Sequence, residues 1–188
     1  MNLYLVRHGE TDWNTLGQIQ GSCDIGLNET GIAQAREVSK KITESNIEFV
    51  RIYSSEQQRA VQTAQIVSQA TGVDHFRIPG LQEIHFGEWE GLSWKEVQTR
   101  YPEAFAHWFR DRRHSTAHRG ESYQALVERV LAALHRIISE NSADVLIVTH
   151  GAVIMSLLCY LDHAPFEDMM KYSVKNAELI RIDSTRLV

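Results

Sequence analysis

Val145-Leu146-Ile147-Val148-Thr149-His150-Gly151 is the stretch on which the fold turns. Four consecutive apolar residues closed by Thr-His-Gly read as a strand buried on both faces, the kind found inside a parallel sheet. Ala152–Leu161 follows as an apolar helix. The N-terminal end repeats the pattern: Leu3-Tyr4-Leu5-Val6 is a short apolar run that stops at Arg7-His8-Gly9. Phe49–Tyr53 is a third strand candidate and Glu178–Asp183 a fourth. Helices are predicted from an Asn28 N-cap to about Ser45, over Glu56–Thr71 with Gly72 as the stop, and over Glu121–Asn141. Strands alternating with helices of this length predict an α/β fold with a mostly parallel central sheet flanked by helices.

The pattern changes between Gly87 and Gly120. Trp89, Trp94, Tyr101, Phe105, Trp108 and Phe109 lie in short helical pieces broken by Pro102, and Arg110, Arg112 and Arg113 follow at once. This reads as a small helical cap inserted at about 87–120 in a single domain spanning 1–188. A chain of 188 residues with 43% hydrophobic and 23% charged side chains buries a core of its own. A net charge of −5 carries no basic footprint for nucleic acid. No run approaches the length of a membrane span, and no signal peptide is legible. Cys23 and Cys159 form no disulfide framework, so a cytoplasmic setting is expected.

Both His-Gly pairs sit at the carboxyl end of a predicted strand, the edge where open α/β sheets bind ligands. A hydrogen-bonded strand cap accounts for one such histidine. Two of them, with Arg7 adjacent, predict facing imidazoles around an anion, provided the strands are neighbours. The planar charged fork of Arg7 matches a phosphate, and Arg59, in the first turns of the helix after Phe49–Tyr53, brings a second cation to the same edge. Histidine attacks phosphorus only as neutral imidazole. Flanking guanidiniums favour that form and hold the charge that develops on the phosphoryl oxygens. The loop Leu81–Trp89 offers Glu83 as proton donor to the leaving group, although the residues alone do not separate it from Glu88 or Glu90.

Arg7-His8-Gly9-Glu10-Thr11, followed by Asn14 and Gln20-Gly21, resembles the histidine phosphatase superfamily, also called phosphoglycerate-mutase-like. So do Arg59-Ala60-x-x-Thr63, Glu83 in its Leu-x-Glu context, Gly120-Glu121-Ser122 and Thr149-His150-Gly151. The match runs through nearly the whole chain in the family's order. The resemblance implies a three-layer sandwich and a phosphohistidine formed on His8, with Glu83 as acid. It implies a phosphate pocket of Arg7, Arg59 and His150, helped by Asn14 and the Gly151 backbone, and neither metal nor other cofactor. The substrate is then a small phosphorylated metabolite.

Gln20-Gly21 and the short chain look like the small broad-specificity and α-ribazole phosphatases. Arg110 and Arg112 are candidate contacts to a further part of the substrate. The alternative is cofactor-dependent, phosphoglycerate-mutase-type transfer. Mutases resemble Glu-Arg-His-Tyr-Gly at the acid loop, where this chain has Glu83-Ile84-His85-Phe86-Gly87, and they carry a longer insertion before Gly-Glu-Ser. Both departures favour hydrolysis. Non-covalent phosphodiester cleavage by two histidines, and a phosphate-recognition module without turnover, are the remaining readings. His114 and His118 have zinc-like spacing but no third ligand nearby, and are read as exposed.

Overall fold

A computed structural model describes residues 1–45 and 47–187. Five strands, β1 (Asn2–Arg7), β2 (Arg51–Ser54), β3 (His75–Arg77), β4 (Val145–Thr149) and β5 (Leu179–Asp183), form one sheet in the order β3-β2-β4-β1-β5. All pairings are parallel except β1 with β5. Seven α-helices accompany them: α1 (Asp12–Thr15), α2 (Glu29–Glu44), α3 (Gln58–Thr71), α4 (Trp94–Arg100), α5 (Pro102–Arg110), α6 (Tyr123–Glu140) and α7 (Gly151–Leu161).

The period-two alternation of the central strands sorts the core into two layers. Tyr4, Val6, Leu146 and Val148 face one side and pack with Val38 and Ile42 of α2 and Ala60, Ala64 and Val67 of α3. Leu3, Leu5, Val145 and Ile147 face the other and pack with Leu126 and Leu134 of α6 and Val153 and Leu157 of α7. Helices therefore cover both faces, as expected for a three-layer sandwich. Trp89 and Trp108 of the inserted segment belong to the second layer's apolar cluster.

The helix ends have local causes. The Asn28 side chain accepts from Gly31 N–H to cap α2, and Ser122 caps α6 through Ala125 N–H. Gly72 closes α3 in the left-handed region at φ 72°. Pro102 sits at the start of α5, where its missing N–H costs nothing.

Several boundaries differ from the sequence expectation. β2 begins at Arg51, because Phe49 packs into the core before the strand pairs. α3 begins at Gln58, because Ser55–Gln57 turn from sheet to helix. β3, α1 and a 3₁₀ segment over Phe166–Tyr172 are further elements that the sequence does not announce.

Candidate active site

The two His-Gly corners meet. β1 and β4 are hydrogen-bonded neighbours with Arg7 opposite Thr149, so His8 and His150 leave adjacent strand ends side by side. Their ring centroids are 5.2 Å apart with planes at 57°, and both residues are buried. His8 Nδ1 lies 2.7 Å from the carbonyl of Gly9. A carbonyl only accepts, so Nδ1 carries the proton of the neutral ring and Nε2 keeps a free lone pair. Burial first, then the charges of Arg59 and Arg7, push the His8 pKa well below its ordinary value. The same two causes, burial and then Arg59, act on His150. Both rings are neutral at neutral pH, as nucleophilic attack on phosphorus requires. The loop carrying His8 is pinned by Gly9 N–H donating to Thr63 Oγ1 at 3.0 Å. Gly9 also lies against the Gly31 backbone, where a Cβ would collide.

The guanidiniums are oriented by carbonyls, which leaves their charge available. Arg59 is fully buried and donates to Cys23 O at 2.7 Å and Gly21 O at 2.9 Å, while its Nε has no partner. Arg7 donates through Nη1 to Val174 O at 2.7 Å, and its Nε is likewise buried and unpartnered. A buried guanidinium cannot shed its charge, and two of them lining one cavity mark the seat of an anion. Asn14 takes part in the capping box of α1 with Thr11, and its Oδ1 accepts from Thr11 N–H at 3.1 Å. Gln20 and Gly21 line the same cavity, and Gln20 Oε1 is buried without a partner. Gly151 opens α7 with Arg7 Nε 3.2 Å from where a Cβ would stand, so the close packing of the two corners depends on it.

Glu83 lines the cavity on the remaining side. Its carboxylate accepts from the backbone N–H groups of Ile84 at 3.0 Å and Ala152 at 3.2 Å. Glu88 and Glu90 lie elsewhere. Glu88 is exposed near His118, and Glu90 ties Ser22 N–H at 2.7 Å to His85 Nδ1 at 2.8 Å. Two residues missed in the sequence hold the loop that carries Glu83. Gln57 bridges it to the Gln20-Gly21 loop, accepting from Glu83 N–H at 2.8 Å and donating to Gly21 O at 3.0 Å. Arg129 donates to the carbonyls of Gly80, Gln82 and Glu83 and pairs in a two-pronged contact with Glu121. That pairing gives Gly120-Glu121-Ser122 a physical meaning: Glu121 orients the arginine that holds the acid loop, and Ser122 caps the helix that carries it.

The cavity has a volume of about 540 Å³ in all, and beyond the anion seat it is walled by Trp13, Trp94, Phe105, Trp108 and Phe109. Arg112 lies in this wall, 6% exposed, its guanidinium 4.9 Å from the ring centres of both Trp108 and Phe109, with Nε unpartnered. Arg110 is not brought to the cavity, contrary to the expectation from sequence. It is exposed and folds back onto Ala106 O at 3.3 Å. Arg113 turns to Gln124 and the Phe166 ring. His114 and His118 are exposed and contact Asp111 and Glu88. Among the described residues no group of three or more His, Cys, Asp or Glu side chains is placed to hold a metal ion, and no helix is long and apolar enough to cross a membrane.

Comparison with known proteins converges on the same chemistry. The family model for the histidine phosphatase superfamily (branch 1) matches residues 3–186. A metal-independent phosphoserine phosphatase of Arabidopsis thaliana is 34% identical over 165 residues, covering 86% of this chain and 69% of that protein. The adenosylcobalamin/alpha-ribazole phosphatase of Salmonella typhimurium is 31% identical over 184 residues, covering 97% and 90%. The solved structure of Bacillus stearothermophilus YhfR superposes with a TM-score of 0.88 at 32% identity, covering 97% of this chain and 90% of that one.

Proposed function

The chain belongs to the histidine phosphatase superfamily, branch 1, and we propose on that premise that it hydrolyses small phosphomonoesters through a phosphohistidine on His8. The observation that carries the proposal is the pairing of the two rings. A neutral, buried imidazole with Nε2 free lies 5.2 Å, centre to centre, from a second imidazole, beside two guanidiniums that no carboxylate among the described residues hydrogen-bonds.

His8 Nε2 attacks phosphorus as the bond to the ester oxygen breaks, and Glu83 gives its proton to the departing oxygen. Arg7, Arg59 and His150 take up the charge on the phosphoryl oxygens, with Asn14 and the backbone at Gly151 as further donors. Water then attacks the phosphohistidine, Glu83 recovers a proton from that water, and orthophosphate leaves with His8 neutral again. Two fixed cations supply the electrostatic stabilisation here, so no step calls for a metal, in keeping with the Arabidopsis relative described as metal-independent.

Hydrolysis is favoured over mutase-type transfer by Ile84, which is wholly buried in the core beside Glu83 and presents no cation to the cavity. The aromatic wall suits a leaving group with apolar surface, and Arg112 within it is a substrate-binding residue. Gln20 and Gly21 shape the opposite side. The whole forms one domain with the aromatic insertion as its cap.

The test is a base quench of the enzyme turning over a labelled phosphomonoester in the presence of EDTA. Base-stable, acid-labile phosphate on the wild type and none on His8→Ala is the expected result. Turnover with no trapped phosphoenzyme under rapid quench refutes the covalent route.

A further inference from the structure

Ser55 stands at the end of β2, its backbone N–H donating to Val148 O at 3.1 Å. Its hydroxyl lies 2.6 Å from His150 Nε2, and both side chains are wholly buried. The other group reaching Oγ among the described residues is the Gln57 N–H, at 3.4 Å. His150 Nδ1 is buried with no hydrogen-bond partner.

The protons of this pair can be arranged in two ways. With the ring proton on Nε2, His150 donates to Oγ, the hydroxyl hydrogen finds no acceptor among the described residues, and the Nδ1 lone pair finds no donor. With the hydroxyl donating to Nε2, Oγ accepts from Gln57 and the ring proton sits on Nδ1 as the single unmatched donor. The first arrangement strands both a buried donor and a buried acceptor. The second leaves one donor for the ligand to satisfy.

We propose that Ser55 is a positioning residue that holds His150 as its Nδ1–H tautomer, so that the ring donates a hydrogen bond to a phosphoryl oxygen. The two facing imidazoles are then both held as Nδ1–H tautomers but offer different nitrogens to the ligand. The Gly9 carbonyl leaves His8 a free lone pair for attack, and the Ser55 hydroxyl leaves His150 a free proton for binding. The kinetic consequence rests on the phosphatase reading; the tautomer does not.

The experiment is the nitrogen NMR spectrum of isotope-labelled histidine in the wild type, Ser55→Ala and Ser55→Thr, alongside kinetics and inorganic phosphate binding. In the wild type His150 should carry its proton on Nδ1. Ser55→Ala should shift that proton toward Nε2, weaken phosphate binding about tenfold and lower kcat about ten- to a hundredfold, and the hydroxyl of Ser55→Thr should restore all three. A wild-type His150 protonated on Nε2 overturns the proposal and decides it even where the alanine variant does not fold. An alanine variant with unchanged tautomer and unchanged kcat also overturns it. An Nδ1–H signal that Ser55→Ala abolishes, in a protein that forms no phosphohistidine, sinks the phosphatase reading while leaving Ser55 its role.

Discussion

Acidification from about pH 7.5 to about pH 5.5 should cost this protein about 3 kcal/mol of folding stability through His8 and His150. In the unfolded chain each ring titrates near its ordinary value of about 6.5. In the folded chain burial and the neighbouring guanidiniums hold both well below it. Between those two values the unfolded state binds more protons, so stability is fully present above the unfolded pKa and is lost as pH falls beneath it. For each ring that stays neutral the slope rises toward about 1.4 kcal/mol per pH unit as the unfolded ring becomes protonated, which integrates over that window to about 1.4 kcal/mol apiece. His75, partly buried and lowered by the same burial, adds in the same direction. Urea unfolding at a series of pH values, in buffer free of phosphate and sulfate, measures the effect, because an anion bound to the folded state would mask it. His150→Asn should remove about 1.4 kcal/mol of the loss across the window. A stability that stays flat across the window, or equal slopes in wild type and His150→Asn, refutes the neutral-ring argument.

Glu83→Gln should lower kcat/KM, which reports the steps up to leaving-group departure, about a hundredfold or more on alkyl phosphates and far less on p-nitrophenyl phosphate, since nitrophenolate leaves without a proton. Equal losses on both substrates would show that Glu83 is not the leaving-group acid. Arg112→Met should leave the fold as stable as the wild type or up to about 1 kcal/mol more stable, because the variant removes a buried cation with an unused donor and keeps its volume. The same variant should raise KM for substrates with bulky leaving groups. A loss of several kcal/mol in urea unfolding with KM unchanged would make Arg112 a structural residue.

The parts of this site legible in sequence are those whose chemistry is contiguous. Arg7-His8-Gly9 and Thr149-His150-Gly151 each place strand, ligand group and turn within a few residues, so periodicity and residue type point to the same edge. Arg59 is legible because its helix follows a strand. Ser55, Gln57 and Arg129 are not, since what they do depends on partners brought by the fold: a ring from residue 150, carbonyls from residues 21 and 80–83. The misplacement of Arg110 has a simple cause. α5 ends at Arg110, and the turn that follows carries Arg112, two residues on, back over Trp108. β3 is three residues long at the sheet edge, too short to show alternation.

The strand order also bears on how the molecule comes into being. β4 lies at the middle of the sheet yet is the fourth strand to leave the ribosome, and it stands between β1 and β2, which are not paired with each other. A nascent chain that stops before residue 145 carries an open slot where its central ladder belongs, with hydrogen-bonding edges bare on both sides. Such a chain is a target for chaperones or for mispairing, and His8, made among the first residues, has no His150 beside it until roughly the last quarter of the polypeptide closes the gap.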